Sequence, residues 1–196
     1  MKRIFDIFFS FFGILLLIPF FLIISILILI DSKGGILYKQ ERTGRYSSIF
    51  KVFKFRTMRP DSFSKGALTV GSRDARITNI GYYLRKYKLD ELPQLFNVLF
   101  GDMSFVGPRP EVKKYTDLYN ENQKKVLSVR PGITDYASIK FRNENDLLSE
   151  TEEPEKLYVD VIMPEKLKLN MQYIQDNSVF KDIRIIFETV YTIIKH

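Results

Sequence analysis

The chain has 196 residues, no cysteine, and a single histidine, His196, at its last position. Without cysteine there are no disulfides, thiolate nucleophiles or cysteine-ligated zinc sites, and one terminal histidine disfavours Ser-His-Asp catalysis. Any catalysis must therefore use carboxylates, Lys, Arg, Tyr or an added metal ion. With 30 basic and 23 acidic residues the formal charge is +7.

The first segment of the chain is apolar. Residues 7–30 contain no charged side chain, and a hydrocarbon core about 30 Å thick needs roughly 20 apolar residues as a helix. A signal peptide is disfavoured because the run is too long and no small-x-small cleavage site follows it. A helix that crosses the bilayer and one that enters and returns both remain open. Basic residues on both flanks favour the re-entrant arrangement, with Pro19 at the bend, because positive charge prefers the cytoplasmic side.

The remaining sequence predicts an α+β fold that is mainly helical, with amphipathic surface helices. Two runs rich in aromatic and β-branched residues, 36–41 and 48–56, predict a small β-hairpin. Residues 60–79 are polar and contain proline and glycine, which is typical of a loop. Apolar spacing and turn residues predict helices at 77–87, 92–100, 111–127 and 179–195, and a loop at 103–110.

Charge is distributed unevenly along the chain. Residues 39–59 hold seven basic and one acidic residue, whereas residues 144–165 hold eight acidic and one basic. The basic segment suits either docking on anionic lipid headgroups or a site for an anionic substrate. Nucleic acid is the least favoured of the three partners, because the N-terminus is suited to a membrane. The acidic segment, with the exception of Asp160, predicts a solvated, partly flexible face.

Two adjacent carboxylates, Asp90 and Glu91, precede a helix that Pro93 opens. Taken alone, they suit a helix N-cap and a charge that complements the helix dipole. Their neighbours favour a functional role instead. Arg85 lies close upstream, and Arg109 stands between two prolines that stiffen its backbone. A carboxylate can attack phosphorus to form an acyl phosphate, and arginines bind phosphate oxygens. The pattern therefore predicts phosphate chemistry, in which the second carboxylate can help to hold Mg²⁺.

The chain resembles the monotopic phosphoglycosyl transferases of the bacterial sugar transferase family, in their small form that consists of the catalytic core. The matching stretches are KFRTM at 54–58, LDELPQLFNVL at 89–99, GDMSFVGPRP at 101–110 and VRPGIT at 129–134. The resemblance covers nearly the whole chain, including the apolar N-terminus that a proline interrupts. Its most specific part runs from residue 89 to residue 110.

The resemblance implies an enzyme that transfers a sugar-1-phosphate from a UDP-sugar to a polyprenyl (undecaprenyl) phosphate and releases UMP. Such enzymes initiate the assembly of polysaccharides or of glycoprotein glycans. The resemblance also implies that Asp90 is the nucleophile, which forms a covalent phosphosugar intermediate, that Glu91 completes the dyad, and that both hold Mg²⁺. It further matches basic positions that bind substrate phosphate or are otherwise functional, and one additional aspartate: Arg109, Arg85, Arg56 and Asp160.

The same resemblance implies a re-entrant membrane helix over residues 1–31 and a membrane-associated catalytic domain over residues 32–196. The expected location is the cytoplasmic face of the bacterial inner membrane. The expected partners are a UDP-sugar, polyprenyl phosphate and membrane lipids, without nucleic acid.

The sequence departs from the family pattern at two places. Ile18 precedes Pro19 where the family often has serine, and Asp135-Tyr136 stands where many members have Gly-Leu. A non-catalytic membrane-surface protein is the alternative interpretation of the chain. It accounts for the apolar segment and the basic charge, but it gives no reason for adjacent carboxylates within a basic region.

Overall fold

The computed structural model describes residues 2–60 and 74–195. Its helices and strands are, in chain order, α1 (Lys2–Asp31), β1 (Leu37–Thr43), β2 (Ile49–Phe55), α2 (Asn79–Lys86), α3 (Gln94–Phe100), β3 (Ser104–Val106), α4 (Lys113–Thr116), β4 (Gly132–Thr134), α5 (Tyr136–Lys140), α6 (Glu144–Ser149), α7 (Pro154–Leu157), α8 (Met163–Gln175) and α9 (Val179–Ile194). The structure is mainly helical, as predicted. Most of the loop predicted at 60–79 lies outside the described residues.

α1 is a 30-residue helix that is apolar on nearly every face and continues through Pro19. By length and composition alone, it is able to cross a membrane. One stripe packs on the rest of the protein, where Ile24 and Ile28 are buried against Phe55 and Leu84. Most of its other large apolar side chains are exposed. The helix is thus part of the core along one face and presents an apolar surface along the others.

Both ends of α1 are bonded to the rest of the protein. Near its start, Lys2 forms an ion pair with Asp182 in α9. At its last residue, the side chain of Asp31 accepts a 2.8 Å hydrogen bond from the backbone N–H of Ile80 at the start of α2. The two ends of one long helix are therefore held against the same folded body.

The predicted β-hairpin is confirmed. β1 and β2 pair antiparallel, with Leu37 opposite Phe55. Because side chains alternate along a strand, Val52 and Lys54 lie on the same face of β2. Val52 is buried there, so this face belongs to the protein interior.

Asn97 fixes α3 against the edge of the hairpin. Its buried side chain accepts the backbone N–H of Phe53 at 2.9 Å and donates to the carbonyl of Lys51 at 2.8 Å. One amide thereby satisfies two groups of β2 as a neighbouring strand would. The predicted helix at 92–100 is confirmed as α3, which ends at Gly101 with a φ of +100°, a conformation that glycine adopts without strain.

A second small sheet lies where the sequence predicts a loop at 103–110, and that prediction is wrong for β3. β3 pairs parallel with β4, so that Ser104 lies opposite Gly132. Glycine is required at this crossing, because a Cβ atom on Gly132 would lie 2.1 Å from the backbone nitrogen of Gly107. Pairing partners far apart along the chain leave no local signal in strands of three residues.

The continuous helix predicted at 111–127 is also wrong. Only α4 and a 3₁₀ turn at Gln123–Ser128 form there. Between them, the side chains of Asn120 and Gln123 each accept the other's backbone N–H at 2.9 Å. Such side-chain bonds compete with helical hydrogen bonding, which explains the interruption.

The acidic segment 144–165 forms α6, α7, a π-helical turn at Tyr158–Ile162 and the start of α8. Leu148, Tyr158 and Ile162 enter a core cluster that also contains Tyr115. The prediction of a solvated, partly flexible face is therefore wrong for these residues, because their acidic neighbours occupy the exposed side of packed helices. The predicted C-terminal helix is confirmed as α9.

We expect Asn97→Ala to lower the stability of the protein by about 2 kcal/mol or more, since it leaves two buried backbone groups of β2 without partners. In a chain of this size that corresponds to a fall in Tm of roughly 4–8 °C, measurable by thermal unfolding in detergent. Asn122→Ala, at an exposed asparagine, is the matched control and should leave Tm nearly unchanged. Equal Tm values for the two variants would contradict the role of Asn97.

Candidate active site

The paired carboxylates lie on a 3₁₀ turn, Leu89–Glu91, between α2 and α3. Lys88, just before the turn, has a left-handed backbone with φ of 56° and ψ of 20°, which is uncommon for a residue other than glycine. Pro93, just after it, is fully buried. The turn is therefore held on one side by an unusual backbone conformation and on the other by a packed proline.

Glu91 joins the dyad to two cations from distant parts of the chain. Its Oε1 atom accepts a hydrogen bond from Lys54 Nζ at 3.0 Å. Its two oxygens also accept from both terminal nitrogens of Arg109, at 3.2 Å for the Nη1 contact. Residues 54, 91 and 109 thus meet at a single carboxylate whose side chain is 11 % exposed, which places Arg109 beside the dyad.

These contacts determine the protonation state of Glu91. Burial alone would raise the pKa of its carboxyl, but the charges of Arg109 and Lys54 outweigh burial and hold that pKa well below the usual value of 4.5. Glu91 in turn raises the pKa of the Arg109 guanidinium. Glu91 and Arg109 are therefore charged at neutral pH. Burial lowers the pKa of Lys54, and the charge of Glu91 counteracts this.

Asp90 differs from its neighbour because one of its oxygens is buried without a hydrogen-bond partner. The residue is 8 % exposed, and Oδ1 has no partner among the described residues. Burial, and then the charge of Glu91, raise the pKa of its carboxyl above 3.8, while Lys54, Arg85 and Lys88 act in the opposite direction. A buried acceptor without a partner is costly, so Asp90 Oδ1 is available to a ligand atom.

Arg85 reaches the site from the last turn of α2. Its Nε atom donates to the hydroxyl of Thr57 at 2.9 Å. Burial lowers the pKa of its guanidinium, and Asp90 is the first group that counteracts this. The close approach depends on Gly81, because a Cβ atom there would lie 2.2 Å from the carbonyl oxygen of Thr57.

The loop that carries Arg109 is fixed through its backbone. Asp135 is fully buried and accepts the N–H of Arg109 on Oδ2 at 3.2 Å and the N–H of Ser138 on Oδ1 at 2.6 Å. It therefore caps α5 and holds the Pro-Arg-Pro loop with one carboxylate. Gly107 completes the attachment by donating to the carbonyl of Thr134 at 3.1 Å.

Two predicted residues lie apart from this cluster. The buried guanidinium of Arg56 donates to the carbonyls of Ser32 and Lys33, in the segment after α1. Asp160 is exposed on the π-helical turn and has no hydrogen-bond or ion-pair partner among the described residues. The functional roles predicted for Arg56 and Asp160 stay predictions.

The whole chain, residues 1–196, matches the family model described as bacterial sugar transferase. The chain belongs to the bacterial sugar transferase family. Its dyad turn, Pro-Arg-Pro loop and hairpin lysine therefore form the candidate active site of a sugar transferase.

Several curated relatives resemble this sugar transferase. The exopolysaccharide production protein PSS of Rhizobium leguminosarum bv. phaseoli is 38 % identical over 97 % of this chain and 93 % of its own length. The UDP-glucose:undecaprenyl-phosphate glucose-1-phosphate transferase of Escherichia coli (strain K12) is 34 % identical over 97 % of this chain but 39 % of its own length. A putative undecaprenyl-phosphate N-acetylgalactosaminyl 1-phosphate transferase of Bacillus subtilis (strain 168) is 43 % identical over 60 % of this chain and 66 % of its own. The chain thus spans from about two fifths to nearly all of the length of these relatives.

Lys54 and Asp135 lie at the site although neither is among the predicted site residues. The alternation of side chains along β2 could have indicated Lys54. This lysine lies on the same face as Val52, and a lysine on an interior face requires a carboxylate partner. Asp135 appears in the sequence only as a departure from the glycine that many family members have there. Its contact with Arg109 leaves no local pattern.

The residues of this sugar transferase fit a metal ion that takes few protein ligands. Among the described residues, no three acidic or histidine side chains converge on a common point. Asp90 Oδ1 is a free oxygen donor, whereas both oxygens of Glu91 are engaged by cations. Mg²⁺ is commonly bound by one or two carboxylates, with substrate phosphates and waters as its other ligands.

We expect Lys54→Met to raise the pKa of both Asp90 and Glu91, because the ammonium of Lys54 lowers each of them. The titration of both carboxyls can be followed by ¹³C NMR with labelled aspartate and glutamate, with Asp90→Asn and Glu91→Gln to assign the signals. Lys51→Met, which removes an exposed lysine from the same strand, is the matched control. Unchanged titration in Lys54→Met would mean that Lys54 does not act on the dyad.

Proposed function

We propose that the protein transfers a sugar-1-phosphate from a UDP-sugar to a polyprenyl (undecaprenyl) phosphate, releases UMP, and so initiates the assembly of a polysaccharide or glycoprotein glycan. The names of the relatives support both substrates. The observation that carries the proposal is the free, buried oxygen of Asp90 beside a cluster of cations. It is the arrangement that a carboxylate nucleophile directed at phosphorus requires.

The reaction would proceed by two displacements at one phosphorus atom. The carboxylate of Asp90 attacks the β-phosphorus of the UDP-sugar and forms an acyl phosphate, while the bond from that phosphorus to the bridging oxygen breaks and UMP leaves. An oxygen of the polyprenyl phosphate then attacks the same phosphorus, and Asp90 departs as a free carboxylate. The two substrates thus use one side chain in turn, so a soluble donor and a lipid acceptor need not be bound together.

The cations around Asp90 would bind the phosphate oxygens. Arg109 offers a planar fork suited to two oxygens, and Arg85 adds a second guanidinium near the nucleophile. Glu91 holds Arg109 and Lys54 in place before a substrate arrives. Binding of phosphate would let these cations share their charge between Glu91 and the substrate.

Mg²⁺, held by Asp90 and Glu91, is part of the proposal. The ion would neutralise negative charge on the pyrophosphate when bound. Asp90 has a free oxygen for it, whereas Glu91 must share its oxygens with Lys54 and Arg109.

We further propose that α1 enters the membrane without crossing it, so that the protein is monotopic at the cytoplasmic face of the bacterial inner membrane. A 30-residue helix is about 45 Å long, which exceeds the hydrocarbon core of about 30 Å. A crossing helix places its two ends on opposite sides. Here both ends are bonded to one folded body, through Lys2 at the start and Asp31 at the end, which favours a re-entrant placement.

We expect Asp90→Asn to reduce turnover by roughly 10³-fold or more, since the amide keeps the shape but is no nucleophile. Purified protein is incubated with a panel of UDP-sugars, undecaprenyl phosphate and Mg²⁺, and the released nucleotide is identified; chelation of Mg²⁺ tests the metal separately. Without the acceptor, the wild type should release one UMP per protein and gain the mass of a sugar phosphate, whereas Asp90→Asn should do neither.

Asp117→Asn, at an exposed aspartate, is the control and should keep wild-type turnover. Release of UDP instead of UMP would mean that the phosphate does not travel with the sugar, and the proposed reaction would be wrong. Absence of nucleotide binding by folded protein, with every donor and with Mg²⁺, would favour the non-catalytic membrane-surface protein.

The turnover of the wild type should also fall as the pH is lowered through the raised pKa of Asp90, because only the ionised carboxylate attacks. Lys54→Met should move this acid limb to higher pH, in the same direction as the titration of the carboxyl. If the acid limb of the turnover profile did not move in Lys54→Met, the group whose ionisation limits turnover would not be Asp90.

For the membrane placement, the absence of cysteine allows single cysteines to report topology. One is added ahead of Met1, one replaces Lys33 and one replaces the exposed Lys124 of the folded body. A membrane-impermeant maleimide should label all three in inverted vesicles and none in intact spheroplasts. Labelling of the N-terminal cysteine from the side opposite to Lys124→Cys would show a crossing helix instead.

A further inference from the structure

A cavity separate from the dyad lies beside the first turn of α1. Its volume is about 190 Å³, well above the roughly 10–15 Å³ that one ordered water needs. None of Asp90, Glu91, Lys54 or Arg109 lines it. Its basic lining comes from α1, the hairpin turn and the segment before β4: Lys2, Arg3, Arg45 and Arg130.

The lining carries an excess of positive charge. Lys2 is neutralised by its ion pair with Asp182. The three arginines have no carboxylate partner within the described parts of the chain, and the only acidic residue in the lining is Asp6, which accepts hydrogen bonds from Ser104 and from the N–H of Phe105. Three arginines against one carboxylate leave two positive charges in excess at this cavity.

Backbone carbonyls hold the three guanidinium groups in place without neutralising them. Arg3 donates to the last-turn carbonyls of α3, Arg130 Nε donates to the carbonyl of Gly101 at 2.8 Å, and Arg45 Nε donates to that of Ser128 at 2.9 Å. The terminal nitrogens of Arg130 have no partner among the described residues. Oriented donors that retain their full charge are what a phosphate oxygen requires.

Apolar surface begins directly beside this cavity. Ile4, one turn into α1, is 73 % exposed, and Phe8 follows it on the same helix at 53 %. The ion pair of Lys2 with Asp182 brings the first turn of α9 to the same place, and Phe180 in that turn is 86 % exposed. A ligand that suits both features has an anionic phosphate joined to apolar chains.

We propose that this cavity binds the phosphate of an anionic membrane phospholipid, with Arg3, Arg45 and Arg130 around the headgroup and the acyl chains along α1 and α9. The lipid would thereby fix the start of α1 at the membrane surface. This site does not depend on the proposed transfer reaction, since no residue of the dyad cluster contributes to it.

The test measures binding of single lipids to the full-length protein in detergent by native mass spectrometry. Phosphatidylglycerol is titrated against the wild type, Arg45→Gln and Arg130→Gln, with phosphatidylcholine, inorganic phosphate and UMP as competitors. Arg45 is partly exposed and lies on the hairpin turn, so its variant should fold even if Arg130→Gln does not. Arg184→Gln, at an exposed arginine of α9, is the control for general charge.

We expect one tightly bound phosphatidylglycerol per wild-type chain, with affinity that falls roughly tenfold in Arg45→Gln and in Arg130→Gln but not in Arg184→Gln. Equal affinity in Arg45→Gln and Arg184→Gln would overturn the proposal. Displacement of the lipid by inorganic phosphate or UMP at equal concentration would also overturn it, because the site would then select a free anion. Equal binding of phosphatidylcholine would contradict the selection of an anionic headgroup.

Discussion

The largely buried carboxylate of Glu91 is the contact on which the site depends. It binds the ammonium of Lys54 and the guanidinium of Arg109, so that strand β2, the dyad turn and the Pro-Arg-Pro loop meet at one side chain. Buried charges are costly unless they are paired, and each of these three groups satisfies the others. Burial and then the charge of Glu91 raise the pKa of Asp90, whereas Lys54, together with Arg85 and Lys88, lowers it. The pKa of Asp90 therefore depends on the balance between these cations and the buried carboxylate beside it.

Contacts without catalytic chemistry place the three segments with the required accuracy. Asn97 holds α3, and with it the dyad turn, against β2. Asp135 holds the backbone of Arg109, and Gly81 allows α2 to approach Thr57 closely enough for Arg85 to reach the site. Each of these residues is buried and acts on the backbone. Their replacement would therefore displace a charged group of the site without removing any charge from the dyad cluster.

Features that depend on neighbouring residues could be predicted from the sequence, whereas features that depend on distant residues could not. Asp90, Glu91 and Arg109 were predictable together because adjacent carboxylates and a proline-flanked arginine are local patterns. The parallel pair of β3 and β4 was not, since each strand has three residues and its partner lies more than 25 residues away along the chain. The dense acidic charge at 144–165 predicts solvation rather than packed helices, although Leu148 and Tyr158 among the acidic residues mark a buried face. Arg56 belongs to a family motif, and its guanidinium is nevertheless bonded to the segment after α1.

The apolar helix α1 packs directly against the residues that flank the candidate active site. Ile24 and Ile28 of α1 pack on Phe55 and Leu84, with Leu92 beside them. These last three residues are the chain neighbours of Lys54, Arg85 and Glu91, so the helix lies directly behind the side chains that surround Asp90. The lipid-borne phosphate acceptor that we propose would move in the plane of the membrane, and a charged site could meet it only at the membrane surface. Because α1 packs against the residues that carry the charged cluster, insertion of its apolar faces into lipid would bring that cluster to the interface.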